Sequence, residues 1–396
     1  MKIIVVSSTF PPRRFGGITA VSYNLAKSLV KRGHDVTVYT TDISDKYSRI
    51  PDIKGVKHID GINVLYFKNL SNSLASNRFY LPVGFVRMVK KELKNFDIIH
   101  LHDFRSFQTI AVHHYAKKYG IPYVLQAHGS LTAFLQKGML KKIFDRLWGY
   151  RILKDAAKVI AVTQMEVEQY KSMGVSEDKI EIVPNGIDLT EFDNLPERGE
   201  FRKKYGLDSN RRVILYLGRI HKTKGIDLLV KAFARLSNDF SDTKLAIAGP
   251  DDGYLPALKK LVADLEISDK VLFIGPLYGK EKTSAYADAD VFVNPRPDEI
   301  FGVVFIEALA CGTPVICSTG CGIADVIDGQ VGLAVPYNEE QLSSAILRML
   351  SDAKLRQEFG DSGKSLVREQ FNWDNIAGQV EDIYQSVVTS NTGGIV

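Results

Sequence analysis

The stretch Arg212-Val-Ile-Leu-Tyr-Leu-Gly-Arg219-Ile-His-Lys-Thr-Lys224-Gly225-Ile-Asp-Leu-Leu-Val-Lys-Ala-Phe-Ala-Arg-Leu236 decides the class of the fold. Its first six residues read as a short buried strand. A cationic loop through Gly218 follows, and then a helix from Gly225 to Leu236. Strand, loop and helix in that order form the repeating unit of a parallel sheet covered by helices. The alternation continues in both directions. Downstream, Lys244–Ala248, Val271–Ile274, Val291–Asn294 and Pro314–Cys317 read as strands, with helices at Tyr254–Leu265 and Phe305–Ala310. Upstream, Ile3–Ser7, Val36–Thr40, Ile98–His100, Tyr123–Gln126 and Val159–Val162 read as strands, with a helix from about Ile18 to Arg32 that stops at Gly33. The expected class is therefore α/β, in two successive units joined near residues 185–200. A last helical stretch, Asn375–Thr389, could pack on either unit.

The chain has 396 residues, 45% apolar and 24% charged. That supports two cores of roughly 150–200 residues each and excludes disorder, fibres and disulfide-stapled miniproteins. Lysine and arginine total 51 against 46 acidic residues, and a net charge of +5 does not mark a nucleic-acid binder. The charge is uneven. Residues 1–195 hold 28 basic and 18 acidic side chains (+10), and residues 196–396 hold 23 and 28 (−5). The first half could face an anionic partner. Cys311, Cys317 and Cys321 have no nearby histidine to complete a metal-ligand pattern, and a reducing cytoplasm suits them. The apolar start at Ile3–Val6 is too short for a signal peptide and no stretch reaches the length of a membrane span, so any membrane contact is expected to be peripheral.

Residues with chemical potential cluster after strands, where open α/β sheets bind ligands. Pro11-Pro-Arg13-Arg14-Phe-Gly16-Gly17 lies between the first strand and helix; its glycines allow close backbone approach, and the helix start offers free N–H groups to an anion. It is neither a dinucleotide fingerprint nor a Walker loop, and a structural turn is the alternative. His128, before Gly129, puts a titratable ring at a sheet edge. His100 and His102-Asp103 sit at a similar strand end and suit a structural hydrogen-bond network equally well.

Arg219 and Lys224 can converge above a helix start and neutralise a diphosphate, the guanidinium as a planar fork and the ammonium as a mobile charge. Glu299 and Glu307 could accept paired hydroxyls, with Gly302 between them allowing close approach. Asp288-Ala-Asp290 resembles a metal-binding string, but it precedes a strand from an Ala-rich helical segment, so no metal is expected there. In 137–158, Lys141, Lys142 and Arg146 flank an apolar face of Leu140, Ile143, Phe144 and Leu147. That face either meets anionic lipid or packs into the core.

In their order and spacing, Gly16-Gly17, His128, Pro184-Asn-Gly-Ile-Asp188, Leu217-Gly-Arg219 with Lys224-Gly225, and Glu299 through Glu307 resemble the retaining, nucleotide-sugar-dependent glycosyltransferases of family 4 (glycosyl transferases group 1). The resemblance spans nearly the whole chain. It implies a GT-B architecture of two Rossmann-like α/β/α domains facing across a cleft: an acceptor-side domain of 1–187 completed by 373–396, and a donor-binding domain of 188–372. It implies that Gly16 and Gly17 contact the donor phosphate region, His128 the transferred sugar, and Arg219 and Lys224 the diphosphate. Glu299 would hold sugar hydroxyls and Glu307 the ribose, with Phe301, Gly302 and Val303 completing the donor site.

The same resemblance implies no cofactor and no metal, a UDP- or GDP-sugar as donor, and a glycan, glycolipid or lipid-linked alcohol as acceptor. Arg13, Arg14, Lys141, Lys142 and Arg146 would form the acceptor or membrane surface of a cytoplasmic, peripheral enzyme. Two departures stand out: Asn294-Pro295 replaces the frequent serine before proline, and Thr319-Gly-Cys-Gly-Ile-Ala-Asp325 replaces the usual Gly-Gly-x-x-Glu. A nucleotide-sugar epimerase and a noncatalytic nucleotide- or carbohydrate-binding protein are the rival readings.

Overall fold

A computed structural model of the chain describes residues 1–12, 17–44, 48–76, 79–131, 138–208, 211–236 and 242–392. It divides into two compact units: Met1–Gly186 with Trp373–Val396, and Ile187–Asn372.

The first unit is built on an eight-stranded sheet of β1 (Lys2–Val6), β2 (Asp35–Thr41), β3 (Val56–Ile59), β4 (Ile62–Phe67), β5 (Ile98–Leu101), β6 (Tyr123–Gln126), β7 (Lys158–Ala161) and β8 (Ile180–Ile182), in the order β3-β4-β2-β1-β5-β6-β7-β8. All pairs are parallel except the β3–β4 hairpin. Apolar residues alternate between two buried faces. Ile4, Val6, Ile99, Leu101 and Leu125 pack under the helices Phe85–Glu92, Phe107–Tyr119 and Tyr150–Asp155. Ile3, Val5, Val36, Val38 and Ile98 pack under Gly17–Lys31 and the final helix, Trp373–Thr392. The final helix thus belongs to the first unit, where Ile376, Ala377, Val380, Ile383 and Tyr384 share a core with Val21, Leu25 and Leu29. Full burial of each Ile or Val is worth roughly 1.5–3 kcal/mol, which is why the central strands read as uninterrupted apolar runs.

The second unit carries a six-stranded parallel sheet of β9 (Arg212–Leu217), β10 (Thr243–Ala248), β11 (Val271–Gly275), β12 (Val291–Asn294), β13 (Val315–Ser318) and β14 (Gly332–Val335), ordered β11-β10-β9-β12-β13-β14. On one face Ile214, Tyr216, Leu245, Ile247 and Val293 pack under the helices Ile226–Leu236, Leu255–Asp264 and Glu339–Ser351. On the other, Phe292 meets Tyr286 and Phe305 edge to face at 5.5 and 5.6 Å. Those rings come from the helices Gly279–Asp288 and Val303–Ala310.

Candidate active site

In the second unit the winding reverses at β9, with β10 and β11 on one side and β12 to β14 on the other. The loops leaving β9 and β12 therefore flank one crevice at the carboxyl end of the sheet. The β9 loop carries Arg219 and Lys224, and the β12 loop carries Arg296, Asp298 and Glu299. Lys224 Nζ donates to Glu299 Oε2 at 2.9 Å, with only 15% and 17% of the two side chains exposed. Arg296 Nη1 reaches the same oxygen at 3.2 Å, and its Nε donates to Asp298 at 2.8 Å. Burial pulls the Lys224 pKa below its ordinary value, and Glu299 opposes that pull. Arg219 stands further out, paired with Asp252 at 2.5 Å, and both are about half exposed. Tyr216 Oη donates to the Arg219 carbonyl at 3.1 Å and anchors the loop.

Two glycines make this packing possible. Gly249 has φ +147°, and a Cβ there would lie 1.8 Å from the Gly218 carbonyl oxygen, so the ends of β9 and β10 close together only with glycine. Gly302 has φ +68° and caps Val303–Ala310; a Cβ would lie 2.7 Å from the Phe305 ring and 3.0 Å from Glu299 Cγ. The result is three cations facing three carboxylates beside a helix start. An incoming diphosphate could share those cations with the carboxylates, with little rearrangement of the backbone.

The remaining predicted residues of this unit are placed less directly. Phe301 is buried edge-on against Phe371 at 5.8 Å, so its side chain anchors the loop and leaves only backbone to a ligand. Val303 opens the helix. Glu307 lies further along that helix, where its two oxygens accept from Lys282 Nζ at 2.8 Å and Tyr286 Oη at 3.1 Å. Glu299 and Glu307 thus have separate sets of partners. Arg296 and Lys282 were not singled out by sequence reasoning; the place of Arg296 just past β12 was the available signal. Asp288 accepts from the backbone N–H groups of Gly199 and Arg202, and Asp290 from that of Val213 and from the Arg202 guanidinium at 3.0 Å.

In the first unit β1 lies between β2 and β5, and the loops after β1 and β5 meet where Ser8 N–H donates to Asp103 Oδ2 at 2.6 Å. Gly17 opens the first helix. Gly16, Arg13 and Arg14 lie outside the described residues. His128 follows β6 with φ +51°, a conformation that non-glycine residues seldom adopt, and Gly129 follows at φ +74°. Glu166 holds that turn. Its buried carboxylate accepts from Gly129 N–H at 2.5 Å and Val162 N–H at 2.9 Å, and burial raises its pKa. Arg105 donates to the Ser130 and Leu131 carbonyls while paired with Asp145 at 2.6 Å. His102 Nδ1 lies 2.9 Å from His128 Nε2. Burial pushes His100 and His128 down to about 3, and His102 well below its ordinary value, so all three rings are neutral near pH 7.

The segment after residue 137 lies largely at the surface of the first unit. The helix Gly138–Phe144 buries no residue, and Met139, Leu140, Ile143, Leu147 and Trp148 are exposed, Met139 by 78%. Phe144 packs against Phe104 at 6.1 Å, and Ile152, Leu153 and Ala156 enter the core. Lys142 and Arg146 are exposed beside this apolar face, and Lys141 is half-buried. No helix among the described residues is long and apolar enough to cross a membrane.

The family profile of glycosyl transferases group 1 matches residues 197–366, and that of Glycosyltransferase Family 4 matches residues 15–191. The chain is 31% identical to the uncharacterized glycosyltransferase MJ1607 of Methanocaldococcus jannaschii, over 97% of this chain and 98% of that protein. It is 28% identical to the alpha-monoglucosyldiacylglycerol synthase of Streptococcus pneumoniae, over 99% of this chain and 87% of the other. Among solved structures, Anabaena HepE in complex with UDP-glucose superposes with a TM-score of 0.77 at 19% identity, covering 98% of this chain and all of that one. That likeness is one of fold.

Proposed function

The chain belongs to glycosyltransferase family 4 of the glycosyl transferases group 1, and from that premise we propose that it transfers a glycosyl group from a UDP- or GDP-sugar to an alcohol, with retention of anomeric configuration and without a metal. The observation that carries the reading is the Lys224–Glu299–Arg296 cluster where the second sheet reverses its winding. Lys224, Arg219 and Arg296 stabilise charge that develops on the departing diphosphate. Glu299 holds hydroxyls of the sugar, Glu307 holds the ribose, and His128 touches the transferred sugar. The backbone around Gly302 and Val303 completes the donor site. In the transfer, the bond from the anomeric carbon to the phosphate oxygen breaks, and the acceptor oxygen bonds to that carbon on the same face. The acceptor proton passes to the leaving phosphate. The UDP-glucose complex of HepE supports a nucleotide sugar as donor.

The acceptor is read as lipid-borne. Apolar side chains of 139–148 would enter a bilayer surface while Lys142 and Arg146 meet anionic headgroups. The name of the streptococcal relative, a diacylglycerol-modifying synthase, supports a lipid acceptor. The test is a mass-spectrometric screen of purified protein with UDP- and GDP-sugars, with and without pooled sugar and lipid acceptors. Donor-specific release of nucleoside diphosphate coupled to a new glycoside is the expected result. A rearranged or hydrolysed sugar with no glycoside would favour an epimerase-type enzyme and overturn the proposal, as would binding without turnover.

A further inference from the structure

The buried imidazoles of the first unit form a connected row. Tyr384, on the final helix, has its Oη 2.5 Å from His100 Nδ1. The His100 and His102 rings stack with centroids 4.1 Å apart, and His102 Nδ1 lies 2.9 Å from His128 Nε2 with the two rings within 9° of parallel. Between two neutral imidazoles a hydrogen bond contains one proton, so one ring is the donor and the other the acceptor. The choice between them follows from the far nitrogen of His102. Its Nε2 is fully buried and has no hydrogen-bond partner among the described residues. If His128 were the donor, the proton of His102 would sit on that Nε2 as an orphaned buried N–H, a rare and costly state. If His102 is the donor, Nε2 keeps only an unmatched lone pair, which buried acceptors tolerate more often.

We propose that His102 is a positioning residue that donates from Nδ1 to His128 Nε2, fixing His128 as its Nδ1–H tautomer. The proposal rests on the reading that His128 touches the transferred sugar. It adds what the ring does there: it presents a single N–H donor, directed to a sugar oxygen, and has no free lone pair with which to act as a base. The left-handed turn at His128, tied down through Gly129 by Glu166, keeps the ring at hydrogen-bonding distance from His102. The proton of the acceptor alcohol must then go to the leaving phosphate and not to this histidine.

The decisive measurement is a long-range proton–nitrogen NMR spectrum of the full-length protein labelled with nitrogen-15 in histidine, near pH 7. Signals are assigned with His102→Leu and His128→Gln. His128 is expected to show a protonated Nδ1 and a bare Nε2, with the unshifted signals of the other histidines reporting that each assignment variant folds; a protonated Nε2 would overturn the proposal. Next, His102→Leu should release His128 into the other tautomer and lower kcat/KM for the donor about tenfold. His102→Asn, which keeps a donor near the Nδ1 position, should stay within about threefold of the parent. Equal losses in the two variants, or no change in the His128 tautomer, would refute the positioning role. If the parent spectrum shows the assigned tautomer but His128→Gln turns over normally, His128 leaves the reaction while the tautomer assignment stands.

Discussion

Glu299→Gln separates two tasks that fall on one carboxylate, holding sugar hydroxyls and holding Lys224 in reserve. Lys224 Nζ sits 2.9 Å from Glu299 in a site where both side chains are mostly covered. An ammonium has three donors, so a diphosphate can share Lys224 with Glu299 without breaking the pair. The cost is then repulsion between carboxylate and phosphate across the ammonium. At a separation of roughly 6 Å and an effective dielectric constant of about 20, that repulsion is about 3 kcal/mol, trimmed by solvent and by Arg296 to about 1–2 kcal/mol. Removing the charge should therefore tighten binding of UDP or GDP by about five- to thirtyfold, while transfer falls by about a hundredfold or more because the sugar loses its anchor. The gain should shrink as pH rises, since Glu299 is what holds the buried Lys224 pKa up. Calorimetric titration of the folded variant with each nucleotide, beside a turnover assay, reads both effects. Weaker nucleotide binding near pH 7 in a folded variant would refute the reasoning.

Arg219→Ala should weaken nucleoside-diphosphate binding about tenfold while moving the thermal midpoint little, because the Arg219–Asp252 pair is half exposed; calorimetry and a melting curve check the two halves. Acid should destabilise the first unit through His100 and His102. Their folded pKa values lie below the unfolded value of about 6.5, so the stability they supply is full above that pH and is lost as pH falls; for His100, pushed down to about 3, the loss is about 2 kcal/mol by pH 5. Urea unfolding at pH 7.5 and 5.0 should show His100→Gln losing about 2 kcal/mol less than the parent over that interval, and equal losses would contradict it. Gly249→Ala should cost at least about 2–3 kcal/mol, against about 1 kcal/mol for Gly253→Ala, where φ is also positive but a Cβ meets nothing within 4 Å; urea midpoints of the two variants give the comparison.

The strands that cross the middle of each sheet were legible because burial on both faces leaves them no polar positions, as in Ile3 to Val6 and Val213 to Tyr216. The hairpin β3–β4 escaped notice because its edge position admits Lys57, His58 and Asn63, although Asp60-Gly61 is a hairpin turn signal and both residues have positive φ. Strand-end positions such as Arg219, Lys224, Glu299 and His128 could be found because a strand followed by a loop is a local pattern. Their partners could not. Lys224 meets Glu299 only because β12 lies beside β9, and His102 meets His128 only because β5 lies beside β6, and strand order is not written in any one stretch. Periodicity likewise identified an apolar face on the helix Gly138–Phe144 and was silent on whether anything covers it.

The place of the helix Trp373–Thr392 also orders events at the ribosome. Its residues complete the core that Ile3, Val21 and Leu25 begin, so the first unit to be synthesised is the last that can close. Residues 187–372 emerge as an uninterrupted block and can fold while the earlier sheet still lacks one covering helix. Until translation reaches that helix, apolar surface around Val21, Leu25 and Leu29 stays open to chaperones. A released chain truncated after residue 372 would display a finished second unit and an uncapped first one, a state that cellular quality control can recognise.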